Sequence, residues 1–291
     1  VTLHFIFLFL LRMQALPPEQ TAESQMSLLV QQGKLDEAEA ASRVYLRGHA
    51  NSGDAHFLLG YVLFLQAKAK ESLAEYTEGA KYLLPSARDL KVVASDYVVL
   101  GDFSDADKWF SKVVEWTPDD VQAWYDLGRT KYNENRFDEA VAAFKRTLVL
   151  DGANVKALDN LGLPYQGEGH NDEAMAAYER AIAIEEKSLE KNAGPYLDLG
   201  SLLIEMERTR DALPWLQKAA VIAPGDFRIW RETGKAYLRL DELEPARTQL
   251  EKAIELAPKN APLHFMLAQV YRKQGLSDKA RQETDRYTAL K

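Results

Sequence analysis

Apolar residues spaced three and four apart alternate with short polar turns along this chain, and the alternation recurs every 34 residues. Residues 121–154, VQAWYDLGRTKYNENRFDEAVAAFKRTLVLDGAN, show the unit most clearly. Trp124, Leu127, Tyr132, Phe137 and Phe144 fall on helical spacings, and the polar run around Asn133 interrupts them once. The pattern predicts two amphipathic helices joined by a tight turn. A pair that short cannot bury its apolar face alone, so neighbouring pairs stack into an open array with a continuous core and a groove.

Two columns of small residues support the stacking. One lies in each first helix, at Met26, Gly60, Ala94, Gly128, Gly162, Gly200, Gly234 and Ala268. The other lies in each second helix, at Ala38, Ser72, Ala106, Ala140, Ala174, Ala212, Ala246 and Ala280. Successive members are 34 residues apart except for one step of 38. Where helices cross closely, only small side chains let the backbones approach. The aromatic residues around these columns, Trp230, Tyr237 and Tyr196 among them, read as core. The alternative, a cofactor box or a stacking platform, does not require the same register in unit after unit.

Helix punctuation follows the same division. Second helices open on acidic residues, as in LDEAEAA, FDEAVAAF and NDEAMAAYERAI, and these carboxylates read as caps complementing the helix dipole. Pro118, Pro224 and Pro258 close units and stop the outgoing helix. The fifth unit departs from the pattern: Pro164 lies inside its first helix, Gly162, Gly167 and Gly169 lie nearby, and four extra residues fall in its second helix. Proline removes a backbone donor and glycine weakens a helix, so the array is expected to bend or loosen between residues 160 and 195. That segment reads either as a hinge or as drift in a tolerant repeat.

Composition narrows the class. Hydrophobic residues make up 46% and charged residues 27%, which excludes a disordered chain and a multispan membrane protein. The net charge of -8 argues against nucleic-acid binding, which needs a basic face. Residues 227–291 nevertheless hold 13 Lys and Arg against 9 Asp and Glu, while the remainder holds 23 against 35. Without cysteine there is no disulfide, thiolate nucleophile or Cys-bound metal. The stretch VTLHFIFLFLL at the start is too short to span a bilayer comfortably but suits the apolar region of a secretory signal. No Lys or Arg precedes it and Met13-Gln14-Ala15 is a poor cleavage site, so the alternatives are an apolar helix against the first repeat or a clipped start. Residues 1–18 are therefore set apart as a possible signal or tether, which favours export or membrane association over a cytoplasmic location.

The chain resembles the tetratricopeptide repeat family over about residues 19–291. The family's Trp-x-x-Leu-Gly pattern stands as Trp124, Leu127 and Gly128, its later Ala and Phe as Ala140 and Phe144, and its Pro as Pro224 and Pro258. Eight units begin near residues 19, 53, 87, 121, 155, 193, 227 and 261. The first, with Met26 in the small position, and the last, with Thr284 in a bulky one, are degenerate, as terminal repeats often are. The resemblance implies an all-α, right-handed superhelical solenoid acting as a protein-interaction scaffold.

It also implies that certain first-helix positions line the groove. In the second to fourth units these are Phe57, Tyr61, Phe64, Lys91, Tyr125, Arg129 and Tyr132. In the last two they include Arg228, Arg231, Lys235, Arg239, Arg272 and Lys273. The first four of these basic residues form one helical stripe, which reads either as a solvated face or as a trap for an acidic segment or a C-terminal carboxylate. Some family members grip acidic chaperone tails with a polar clamp. Lys91 and Lys156 match two clamp positions, but Ser95, Asp126 and Asn160 break it.

No constellation for catalysis is present. The five histidines are scattered, no His-x-x-x-His pair or phosphate loop occurs, and Gly167-Glu168-Gly169 lacks the setting of a dinucleotide fingerprint. The sequence thus predicts a non-catalytic scaffold with no cofactor and no metal, taking a protein or peptide in its groove. The alternative is an exported or membrane-tethered assembly component that uses the convex face or the array ends and touches a membrane only through its N-terminal segment.

Overall fold

The computed structural model describes residues 18–291 apart from residue 190, with side chains from residue 22. The apolar segment expected to act as a signal or tether lies outside the described residues, save for Pro18. Among the described residues the secondary structure is helical throughout, and no helix is long and apolar enough to cross a membrane. The residue contacts divide the chain into two compact units, one ending at Pro118 and the other Asp119–Lys291.

The first unit holds α1 (Pro18–Gln31), α2 (Leu35–Gly48), α3 (Gly53–Leu65), α4 (Ala69–Gly79), α5 (Ala87–Leu100) and α6 (Phe103–Trp116). The second holds α7 (Val121–Asn133), α8 (Phe137–Leu150), α9 (Val155–Gly167), α10 (Asn171–Glu185), α11 (Gly194–Glu205), α12 (Thr209–Ile222), α13 (Phe227–Arg239), α14 (Leu243–Leu256), α15 (Ala261–Lys273) and α16 (Ser277–Leu290). Within each unit the helices pack as consecutive antiparallel-type pairs, and the first helix of a pair also touches the first helix of the next, as α9 touches α11 and α11 touches α13.

Both small columns are buried. The second-helix column is fully buried from Ala38 to Ala246 and 4% exposed at Ala280. In the first-helix column each glycine faces a bulky residue 16 positions later. A Cβ at Gly60 would lie 2.9 Å from the Tyr76 ring, one at Gly128 2.7 Å from Phe144, and one at Gly200 or Gly234 2.7 Å from Leu216 or Leu250. The degenerate first unit reverses the sizes: Met26 stands in the small position and Ser42 in the bulky one, both buried.

The turn inside each pair is also uniform. Residues 33, 67, 101, 135, 169, 207, 241 and 275 all have left-handed backbone, four as glycine and four as Ala67, Asn135, Glu207 and Asp241. The next residue's N–H reaches back five residues, as from Lys34 to the Leu29 carbonyl or from Arg208 to Leu203, closing the helix in a Schellman motif.

Side-chain caps lie elsewhere than expected. Ser52, Ser86, Asp120, Asn154 and Asp226 cap first helices, whereas α2, α8 and α10 follow Lys34, Arg136 and His170 with no side-chain cap. The acidic residues of those second helices occupy the first turn instead, where Glu139 ties Lys131 at 3.0 Å to Arg136.

The fifth repeat differs from its expectation in where the extra residues lie. Helix α9 runs unbroken through Pro164, and the extra residues lie in the 186–193 connection rather than in α10. Its glycines have structural reasons: Gly162 faces Tyr178, Gly169 takes the left-handed turn, and a Cβ at Gly167 would press on Phe137 at 3.1 Å.

Two of the scattered histidines share a register. Trp230 Nε1 donates to the Pro224 carbonyl at 2.9 Å, and the equivalent His264 and His56 place Nε2 2.9 Å from Pro258 O and 3.0 Å from Ala50 O. A carbonyl only accepts, so both Nε2 atoms carry hydrogen. Nδ1 then faces a carboxylate from the second helix of the pair, Glu283 at 2.6 Å and Glu75 at 2.7 Å. These imidazoles replace the Trp of the repeat and serve the core.

Candidate partner-binding surface

Helical spacing brings the predicted surface residues of the first helices onto shared faces, and side-chain partners then decide what each can offer. In the first compact unit Phe57 is buried, its ring stacked on Tyr76 at 5.6 Å and set against Gly79, so it belongs to the core rather than to a groove. Tyr61 is half-buried and carries the Arg88 guanidinium over its ring at 4.9 Å. In the second compact unit Tyr125 is half-buried against Phe144, and its hydroxyl accepts from Asn160 Nδ2 at 3.3 Å. Arg129 lies exposed 5.9 Å from the Tyr125 ring. Tyr132 is half-buried against Phe137 at 5.7 Å. Burial pushes the phenols of Tyr125 and Tyr132 up, so both stay neutral donors.

The basic stripe on α13 is formed but not bare. Arg228 is forked onto Asp226 through bonds of 2.7 to 3.1 Å, and this holds the Asp226 carboxyl down. Arg231 and Lys235 both reach Glu232, at 2.9 and 3.1 Å, and Glu232 is 6% exposed beneath them. Lys273 bonds Asp241 at 2.6 Å. Arg239 donates to the Ile204 carbonyl and Arg272 Nε to the Ala268 carbonyl at 3.3 Å, so these two spend their bonds on backbone rather than on carboxylates. Counting cations along one helix face leaves out Asp226 and Glu232, which stand beside them in the chain.

The fifth and sixth repeats contribute a further feature. Asp159 on α9 occupies the same groove position as Tyr125, is 8% exposed, and leaves Oδ1 without a hydrogen-bond partner. The carboxyl of Asp198 on α11 stands next to it. Burial, reinforced by the Asp198 charge, pushes Asp159 up. Burial also raises Asp198, against the pull of Arg228. Beside them lies a cavity of about 840 Å³ whose lining includes Lys156, Glu185, Lys191, Gly194, Asp226 and Arg228. The long connection shapes it: Lys191 Nζ donates to the Glu185 carbonyl, Asn192 N–H to the buried Glu185 carboxylate at 2.9 Å, and Gly194 N–H to Asn192 Oδ1 at 2.9 Å. No group of three or more His, Asp or Glu among the described residues is arranged to hold a metal.

One supersecondary unit, two helices closed by a left-handed turn and keyed by a small residue against a bulky one, recurs along both compact units. This makes the protein an α-helical repeat protein. Residues 25–87 and 197–261, and separately 250–282, match tetratricopeptide repeat families, and residues 90–212 match the middle tetratricopeptide-like domain of cilia and flagella-associated protein 70. The chain belongs to the tetratricopeptide repeat family.

Solved structures agree on the fold. A tetratricopeptide repeat protein from Parabacteroides merdae ATCC 43184 is 19% identical with a TM-score of 0.69, over 86% of this chain and 98% of that one. Cut9, in the APC/C hetero-tetramer Cut9-Hcn1, is 17% identical with a TM-score of 0.65, over 94% of this chain and 53% of that one. PilW, a type IV pilus biogenesis factor, is 15% identical with a TM-score of 0.64, over 70% and 92%. Curated proteins offer no sequence match to the chain.

Proposed function

We propose that this protein is a non-catalytic scaffold that takes a segment of another polypeptide on the faces that the first helices build within its compact units. The observation that carries the reading is the repeat itself. Its repeated volume goes into Gly, Ala and bulky core pairs, while Tyr61, Tyr125, Arg129, Tyr132, Arg239 and Arg272 are left as accessible aromatic and cationic groups on first helices. Half-buried tyrosines supply contact area at little entropic cost, and neutral phenols donate hydrogen bonds.

The finer reading is capture of an acidic segment or a C-terminal carboxylate at the C-terminal end. Arg239 and Arg272 carry it better than Arg231 and Lys235, because the latter pair already neutralises Glu232. Fluorescence polarisation with a labelled tetraglutamate peptide tests it. The Arg239→Glu/Arg272→Glu variant is expected to weaken binding by about tenfold or more, and Arg231→Ala/Lys235→Ala by less. Equal binding by all three proteins sinks acid capture. Affinity capture of partners by the wild type, identified by mass spectrometry, tests the scaffold role apart from it.

A further inference from the structure

A groove runs between the second helices α12 and α14, over α13. It consists of two cavities, of about 650 and 660 Å³, that share Arg210. In the first, the Trp230 and Tyr237 rings of α13 are half-buried, Leu213, Pro214 and Val221 line α12, and Gln249 stands on α14. Val221 is 79% exposed. Trp230 spends its N–H on the Pro224 carbonyl, so its ring meets the cavity as an apolar surface.

The preceding repeat shows what kind of group such a place holds. There the counterparts of Gln249 and Ala220 are Trp215 and Ile182, and the Trp215 ring packs 6.3 Å from Tyr196, the counterpart of Trp230. Smaller residues at both places leave the space open between α12 and α14. Aromatic rings attract one another at this range, so Trp230 and Tyr237 favour a ring as occupant. Charge sets the second requirement. Among the described residues Arg210 is the one charged residue in the lining of the first cavity, and its side chain is 75% exposed with Glu242 at 3.6 Å. The second cavity adds Arg208 and Arg239 against Glu207 and Asp211. Asp211 is spent on Arg208 at 2.9 Å and Arg239 donates to a backbone carbonyl, so Arg210 and Arg239 hold the remaining positive charge beside Glu207. Pro214 withholds the N–H that the Arg210 carbonyl would accept in a regular helix, which leaves a backbone acceptor at the residue the cavities share.

We propose that this groove docks an aromatic side chain of a partner polypeptide, seated on Trp230 and Tyr237, with a neighbouring carboxylate of the same segment on Arg210. The surface is separate from the first-helix faces, although Arg239 borders both, and it rests on the scaffold reading only in drawing its ligand from a polypeptide. A docked ring covers the exposed Val221 and shields the Arg210 pair from water, where a charge-assisted hydrogen bond gains strength.

Fluorescence polarisation with a labelled Gly-Glu-Phe-Glu-Gly peptide provides the test. Wild type is expected to bind it about tenfold or more tightly than the same peptide with alanine in place of phenylalanine. Gln249→Trp, which fills the first cavity as Trp215 does in the preceding repeat, and Arg210→Glu are each expected to weaken binding by about tenfold or more. Arg272→Glu, on α15, is expected to change it less than about twofold. If Gln249→Trp fails to fold by circular dichroism, Val221→Asp, at an exposed position, carries the same expectation. Unchanged affinity in the groove variants, or equal binding of the alanine peptide, overturns the proposal. Equal loss in Arg272→Glu places the peptide on the first helices and overturns it too. Wild type that binds tetraglutamate but not Gly-Glu-Phe-Glu-Gly overturns the groove and leaves the first-helix reading standing.

Discussion

The ring of Tyr178 occupies the space that a side chain at Gly162 would need, its Cε1 overlapping the place where a Cβ would stand. Tyr178 is fully buried, so the ring has nowhere to move. The pair is one instance of a volume rule that holds along the repeat, small against large at a separation of 16 residues. Gly162→Ala is expected to cost about 1 to 3 kcal/mol through overpacking, despite the better helix propensity of alanine. Chemical denaturation measures it. Tyr178→Leu, which imitates the Gly200 and Leu216 pair, is expected to recover part of the loss; no recovery would place the strain elsewhere.

The left-handed turn column predicts changes of opposite sign. Ala67 and Glu207 pay a backbone strain that glycine avoids, at φ of 59° and 63°. Ala67→Gly and Glu207→Gly are expected to raise stability by about 0.5 to 1 kcal/mol, and Gly101→Ala to lower it by about as much. Thermal unfolding of the three variants decides the matter, and a loss in both glycine variants contradicts it.

The His264 and Glu283 pair is buried and closed at both ring nitrogens. Removing Glu283 takes away the partner of His264 Nδ1, while removing His264 leaves Glu283 paired with Arg286 at 2.8 Å. His264→Ala and Glu283→Ala are each expected to cost about 2 to 4 kcal/mol, with a coupling of about 1 kcal/mol or more in the double-mutant cycle. The His56 and Glu75 pair repeats the experiment in the first unit, where Glu75 is more exposed, so its coupling should be smaller. Additive losses would mean that the rings act only as packing.

Asp96 gives the fold a pH dependence. It is 1% exposed with Oδ2 unpaired, and burial pushes its carboxyl up to about 6 from an ordinary 3.8. The folded state therefore holds this proton more tightly than the unfolded chain. Its contribution is fully present below about pH 4 and is lost as pH rises through about 6, by up to about 3 kcal/mol. Asp159 and Asp198 act in the same direction over the range set by their own raised carboxyls. Stability measured between pH 4 and 8 should fall less steeply in Asp96→Asn than in the wild type. An unchanged slope removes Asp96 as a source.

Much of this was legible in the sequence. Helix pairs, unit boundaries and both small columns follow from periodicity, because each depends on contacts within a unit or with the next. The turn column and the histidine register were equally periodic, but glycine, alanine, asparagine and acids look unrelated until φ shows what they share. Phe57 read as a groove residue by position, yet its ring turned inward onto Tyr76. Acidic residues read as caps by their proximity to helix starts, yet they stand within the first turn, where Glu139 pairs with Lys131 and Arg136.

By itself, then, the amino-acid order determined the repeat, its helices and the core that joins them, since these arise from short-range patterns that any stacked array must satisfy. Only the tertiary structure decided which charges remain available. Glu232 neutralises Arg231 and Lys235 because its side chain reaches both from one buried position. Asp159 meets Asp198 because neighbouring first helices bring together groups that the sequence keeps a full repeat apart. Electrostatic balance depends on distances of a few ångströms between such residues, and a linear pattern does not carry those distances.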